Sequence, residues 1–352
     1  MFRFFAFLFL LLYSTYVNAI KITFVLPSYE EHTFWFYVAD NIRGIAKQTP
    51  YEVDIIHIAN NRFTQLDVIT RIVNSDAKPD YLVYRPFINA GLHTFKFLEN
   101  KKVKFITLEQ VLTGNQKLEA GGPGEKFKYW LGVIDYAQTQ AGELLAHTLI
   151  KSYRQILPEK PVYITGFSGV HDALSENRNK GLLKTENKQL NIFVNQIFQM
   201  NFERKLVAER FDKVVERYPN TNTYWCASAQ MALETLHQLK KHPLHANHYI
   251  SIGGFDWLPE AIEKVESGEL TALVGGAFLM GSKALQYIYY YENGINKFTQ
   301  SETIPFELII QDNASAYLDF IKNKKWRTAD YSPYLKAEQP KPLTVESLIN
   351  HF

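Results

Sequence analysis

Ile250-Ser251-Ile252-Gly253-Gly254-Phe255-Asp256-Trp257 reads as a strand that runs into a ligand site. A short apolar run with β-branched residues stops at two glycines, and an aspartate then stands between two aromatics just ahead of Pro259 and a helical pattern. In an open α/β sheet, ligands bind beyond the carboxyl ends of the strands, where loops present side chains and backbone groups. Asp256 falls at such an end. Its carboxylate can accept hydrogen bonds from two vicinal hydroxyls, and Phe255 or Trp257 can lay a flat apolar face against a ring. Polyol binding is the use to which this chemistry points.

The neighbouring sequence repeats the same strand and helix rhythm. Upstream, Thr223–Cys226 is a strand followed by a helix marked by Ala232, Leu236 and Leu239; downstream come a helix through Val265, a strand Leu270–Val274 and a helix Phe278–Tyr291 closed by Asn293-Gly294. The series begins at Val162–Thr165, which ends in Gly166-Phe167-Ser168-Gly169 and leads into a polar helix carrying Arg178. It continues through the strand Asn191–Phe198 and a helix from Phe202 that Tyr218-Pro219 terminates. An earlier series has strands at 21–26, 53–58, 81–84, 103–107 and 129–134, with helical spacing between them, as in Phe34, Val38, Ile42 and Ile45. Alternation of this kind predicts parallel sheets covered by helices with right-handed crossovers. Two such series in tandem imply two halves with a cleft between them. Residues 108–127, rich in glycine and lysine, read as a long loop; no Gly-Lys-Ser/Thr follows, so a phosphate cradle is disfavoured. The tail from Pro305 holds one more strand and one short helix.

Composition narrows the function classes. A chain of 352 residues favours two domains over one core. Net charge is +2 with both signs dispersed, so no field exists to hold nucleic acid or an anionic membrane. Residues 1–19 read as a cleaved secretory signal: Arg3, the apolar run from Phe4 to Tyr13, then small residues at Val17-Asn18-Ala19. The run is short for a membrane span, although an uncleaved anchor is the alternative. The lone Cys226 excludes an intrachain disulfide and a cysteine-rich metal site, and no cysteine near Ile20 could carry a lipid. The bacterial periplasm fits these features. His242, His245 and His248 surround Pro243 without an acidic or thiol partner and read as a solvated loop, not a metal site. Gly166-Phe167-Ser168-Gly169 lacks the spacing of a nucleophile elbow. No cofactor, metal or catalytic residue is expected.

Four stretches together resemble one family. They are Tyr218-Pro219-Asn220 leading through Trp225 and Ser228 to Met231-Ala232-Leu233; Gly253 to Trp257 with Glu266-Ser267-Gly268-Glu269-Leu270; Ser175-Glu176-Asn177-Arg178-Asn179-Lys180-Gly181; and Ile134-Asp135-Tyr136 with Ala141-Gly142. In order and spacing they resemble the type I periplasmic binding proteins, including ribose-type sugar receptors and the autoinducer-2 receptor. The resemblance implies two Rossmann-like α/β lobes with parallel sheets, joined by a three-crossing hinge. The N-terminal lobe would be 20–132 plus 277–300, the C-terminal lobe 133–276 plus 301–320, and 321–352 a C-terminal tail.

The resemblance also implies a ligand site. Arg178 would donate a planar fork of hydrogen bonds, its bland alternative being a surface salt bridge. Asp256 would accept from hydroxyls or merely cap the next helix, and Asp135 stands equally between ligand contact and cap. Ser228 occupies a position where ribose-type members carry asparagine, and could serve only as an N-cap. Glu30, His32 and Trp35 follow the first strand, with Trp35 able to cover a sugar face or to pack in the core. Arg85 and Glu109 sit at the lobe rim, where the ribose receptors carry other residue types. Relatives place glutamine or arginine at Gly275-Gly276, so glycine there means a roomier pocket or a backbone contact. The ligand is therefore not assigned by analogy with ribose or autoinducer-2. The expectation is an exported, monomeric solute-binding protein that closes on a small polar ligand, foremost a sugar, and presents it to a membrane ABC permease. Reporting to a sensor kinase, cyclase or chemoreceptor is the alternative. A secreted enzyme is a rival of another class, and a DNA-binding regulator is disfavoured because the apparent signal occupies the place of a helix-turn-helix.

Overall fold

The computed structural model describes residues 19–27, 34–59, 61–87, 90–109, 112–242, 249–295, 301–336 and 341–351. Most of the first 19 residues, Glu30, His32, His245 and His248 lie outside them. The first half runs β1 (Lys21–Pro27), α1 (Phe34–Ala46), β2 (Glu52–Ile58), α2 (Arg62–Val73), β3 (Tyr81–Tyr84), α3 (Gly91–Asn100), β4 (Lys104–Leu108), α4 (Gly114–Ala120) and β5 (Trp130–Tyr136). Then follow α5 (Gln138–Ile156), β6 (Val162–Ser168), α6 (Ala173–Leu183), β7 (Ile192–Gln199), α7 (Arg204–Arg217), β8 (Thr223–Cys226), α8 (Ala229–Lys241), β9 (Ser251–Phe255), α9 (Pro259–Glu266) and β10 (Ala272–Gly275). The chain ends with α10 (Met280–Glu292), β11 (Ser301–Ile304), β12 (Glu307–Ile309), α11 (Gln311–Lys322), α12 (Ser332–Leu335) and α13 (Val345–Ile349).

Two six-stranded sheets form, in the orders β11-β5-β4-β3-β1-β2 and β12-β10-β9-β8-β6-β7. Every pairing is parallel except β10 with β12. Helices cover the sheets, so the central strands are buried on both faces; Val25, Leu26, Leu82 and Val83 are fully buried, which is why those strands are continuous apolar runs and do not alternate. The chain crosses between the sheets after β5, after β10 and after β11.

Two readings of the sequence change in detail. Pairing of Val133 to Tyr136 with Ser301 to Ile304 places all of β5 and β11 in the first sheet. The division expected at 132/133 therefore falls inside a first-lobe strand, and that expected at 300/301 falls ahead of one. Within 108–127, Gly114–Ala120 is helical, because the chain-breaking glycines cluster only at 121–124.

The tail is more than one strand and a short helix. From α11, on the second lobe, the chain returns to the first: Arg327 forms a two-bonded pair with Asp40 of α1 at 2.8 Å for each bond, and Trp326 donates its indole N–H to the same carboxylate at 2.8 Å. Burial opposes the Asp40 charge, but these bonds outweigh it and hold its carboxyl below the usual range. Gln286 of α10 then donates to the carbonyls of Tyr334 and Lys341. Finally α13 docks on the second lobe, where Glu307 of β12 accepts from the backbone N–H of Val345 at 2.7 Å and of Glu346 at 2.8 Å. The tail thus stitches both lobes together beside the hinge.

Candidate functional site

A cavity of about 310 Å³ lies between the lobes, at the carboxyl ends of both sheets. The first lobe supplies Phe34, Trp35 and Tyr37 from α1, Arg85 from the end of β3, and Glu109 from the end of β4. The second lobe supplies Asp172, Arg178, Phe202, Ser228, Asp256 and Trp257, while Gln138 and Phe278 come from just beyond the crossings. Ligand groups bound here would touch both lobes at once.

Arg178 is held from three sides. The glycines of α5 and α6 let those helices approach until backbone meets backbone: a Cβ on Gly142 would lie 2.1 Å from the Arg178 carbonyl oxygen, and one on Gly181 would lie 2.1 Å from that of Thr139. In this position Arg178 Nε donates to Gln138 Oε1 at 2.8 Å, Nη1 donates to the Ala227 carbonyl at 2.9 Å, and the guanidinium lies 4.1 Å above the Phe255 ring. A desolvated cation–π contact contributes about 2 kcal/mol. Burial weakens the hold on the Arg178 proton, and Asp256, Glu109 and Asp172 only partly restore it. Nη2 makes no hydrogen bond to a described residue, which leaves it for a ligand.

Asp256 ends β9 with its backbone at φ 70°, a conformation that few residues without glycine's freedom adopt. Its N–H donates to Val274 at 2.8 Å, and its carboxylate accepts nothing from the described residues. Burial pushes the carboxyl up, with Arg178 pulling the other way and Glu109 adding to the rise. An acceptor kept this poor in partners suits ligand hydroxyls. Glu109 and Phe202 also sit at positive φ, so three of the seven such non-glycine residues among the described residues line this cavity. Strained backbone of this kind gathers at ligand clamps.

Arg85 and Glu109 bond to each other through Nε and Oε2. Burial disfavours the Arg85 charge, but Glu109 and then Asp172 more than compensate, and the guanidinium stays charged. Its two terminal nitrogens have no described partner. Trp35 meets the cavity beside Phe34, their rings edge to face at 5.3 Å. Ser228 caps α8 by accepting from the Met231 N–H at 3.3 Å and lines the cavity as well. The cap does not remove Ser228 from the cavity wall.

Two candidates are placed elsewhere. Phe255 is fully buried between Trp225 and Phe306 and does not line the cavity; its ring carries the Arg178 guanidinium. β9 ends at Phe255, and the chain turns at Asp256 through positive φ, so Asp256 and Trp257 line the cavity while Phe255 stays in the core. Asp135, near the end of β5, lies in a neighbouring groove with Thr303 and Lys180 and does not line the cavity that holds Asp256. Glu30 and His32 are outside the described residues.

Gly275 and Gly276 do not enlarge the pocket. A Cβ on Gly275 would lie 2.5 Å from Trp257 Nε1, and one on Gly276 would lie 3.3 Å from Trp257 Cη2, so the indole fills the space that a side chain there would need. Trp257 is braced edge to face by Tyr317 at 5.0 Å and Phe278 at 6.1 Å.

Sequence reading missed Tyr37, Gln138, Asp172, Phe202 and Phe278. Asp172 had a local signal, the Asp-x-x-Ser cap it forms by accepting from Ser175 at 2.8 Å. Phe202 had none: successive left-handed residues, Asn201 and Phe202, swing its ring over Gly169, where a Cβ would lie 1.9 Å from Cζ.

No family model matches the chain, and no curated protein matches it. Solved structures do. A periplasmic sugar-binding protein from Pseudomonas fluorescens is 17% identical, with a TM-score of 0.78 over 91% of this chain and 95% of that one. A periplasmic solute-binding protein of an ABC transporter from Actinobacillus succinogenes 130z, with bound D-allose, is 17% identical, with a TM-score of 0.71 over 85% and 100%. A solute-binding protein from Bacillus halodurans C-125 with bound myo-inositol is 15% identical, with a TM-score of 0.68 over 86% and 98%. At such identities the likeness is one of architecture, and with two parallel-dominated lobes, three crossings and a cavity between them, the chain has the type I periplasmic binding protein fold.

Proposed function

We propose that this chain is an exported binding protein that captures a sugar or related polyol between its lobes and presents it to a membrane ABC permease. The observation that carries the reading is the cavity itself: aromatic faces from Trp35, Phe202 and Trp257 surround an Asp256 carboxylate and an Arg178 nitrogen with unfilled hydrogen-bonding capacity. Aromatic faces take up the C–H surface of a ring, and the charged pair fixes hydroxyl positions. Contacts from both lobes favour the closed arrangement by the difference in affinity between closed and open states, and closure makes the surface a permease can recognise. Sugar and polyol ligands in structural neighbours support the ligand class, and their ABC transporter context supports the partner. The basic start and apolar run of residues 1–19 support export, the mature chain acting as a monomer without catalysis.

Thermal denaturation of the purified chain against monosaccharides, sugar alcohols and nucleosides tests this. Ligand at about 100 times its Kd stabilises the folded state by about 2.7 kcal/mol. A clear rise in midpoint with a sugar or polyol is expected. A rise only with nucleosides, or with nothing in the panel, overturns the assignment.

A further inference from the structure

Next to the aromatic cavity lies a second, of about 480 Å³. Gln138 and Leu174 line both. Like the first, the second spans both lobes. Lys117 of α4, Asp135 of β5 and Thr303 of β11 face Gln140 of α5 and Asn177 and Lys180 of α6 across it.

Their chemistries differ. The first is walled by six aromatic residues; the second has only Tyr136, and beside small and aliphatic residues such as Ala137 and Leu112 its lining is mostly amides, hydroxyls and charges of both signs. Such a lining offers nothing to stack on and no net charge to attract an ion. It suits a neutral unit held by hydrogen bonds through many hydroxyls.

Gln138 stands at the seam. It is 8% exposed, and its Oε1 is committed to Arg178 Nε at 2.8 Å. That bond fixes the amide orientation and leaves the Nε2 donor without a described partner, on a residue that lines both cavities. An oxygen of a ligand that reaches from one cavity into the other can accept from it.

We infer that the ligand is longer than one sugar ring: a neutral disaccharide, one unit between the aromatic walls and the second in the polar groove, with an oxygen near the linkage accepting from Gln138. This rests on the sugar-binding reading above. It also gives a ligand role to Asp135, which lines the second cavity and not the first.

The test is calorimetric titration of the full mature chain with maltose, cellobiose, lactose, melibiose and trehalose and with their component hexoses. At least one disaccharide is expected to bind about ten-fold or more tightly than its hexoses. Asn177→Trp, which fills the groove from α6, is expected to weaken that disaccharide about ten-fold and to leave its hexose within about two-fold. Lys117→Trp, filling it from the other lobe, does the same and covers the case in which the first variant fails to fold. If a hexose binds as tightly as every disaccharide, or if neither tryptophan changes disaccharide affinity, the inference falls and the sugar-binding reading stands. If no hexose or disaccharide binds the unaltered chain, both fall.

Discussion

Gly142→Ala sets two physical effects against each other in sign. In an exposed helix, replacing glycine by alanine stabilises by about 1 kcal/mol through backbone entropy. Here the added methyl would lie 2.1 Å from the Arg178 carbonyl oxygen, 3.0 Å from its carbon and 3.2 Å from its Cα, so no side chain can turn away to relieve it. Helices α5 and α6 must part by about 1.3 Å, the difference between 2.1 Å and an ordinary 3.4 Å contact. Overpacking of this kind costs about 1–3 kcal/mol, and a backbone-on-backbone clash belongs at the upper end. Set against the entropic gain, a net loss of about 2 kcal/mol remains. At about 2–4 °C per kcal/mol for domains of this size, the thermal midpoint drops by about 4–8 °C. The shift also carries Arg178 away from Gln138 and Ala227, whose bonds at 2.8 and 2.9 Å leave little slack. Ligand affinity therefore falls more than the stability loss alone accounts for. The assay is circular-dichroism melting with and without the best sugar ligand. A midpoint equal to or above that of the unaltered chain would refute the account of how α5 and α6 position the site.

Two further outcomes follow from the charged groups. Asp256→Asn is expected to raise the melting midpoint of the ligand-free protein, since burial pushes this carboxyl up and asparagine tolerates positive φ, while Asp256→Asn and Arg178→Lys each remove most sugar affinity. Melting and titration of the same samples check both, and full affinity in either variant counts against the site. Asp40 is the opposite case: its folded pKa is depressed, so the stability it contributes is present above the unfolded value near 3.9 and is lost as pH falls through the folded one. The melting midpoint should drop on acidification below about pH 4, and Asp40→Asn should lower it at neutral pH while flattening that drop. An unchanged acid limb in the variant would mean that the tail's grip on α1 does not depend on this ion pair.

The local signals in the chain determine its class. Continuous apolar runs, separated by stretches with helical spacing, can only be strands buried on both faces and the helices that cover them. The glycine-glycine-aromatic-aspartate end of β9 marks a strand terminus, and Asp256 was legible because it sits just past that end, whereas Arg178, inside α6, was singled out only by the family resemblance. What sequence could not decide is which way a residue faces once elements from distant parts of the chain meet. The end of β9 leaves Phe255 beneath Arg178 and the turn at Asp256 puts that carboxylate in the cavity, while β5 sends Asp135 into the adjoining groove. Phe202 enters through two left-handed residues that carry no glycine, and Gly275 matters because Trp257, 18 residues earlier, lies against it. The tail's return to α1 and back depends on Asp40 meeting Arg327 across 287 positions of chain. These are long-range packing outcomes, fixed by the simultaneous burial of surfaces from both lobes, and only the folded arrangement brings those surfaces together.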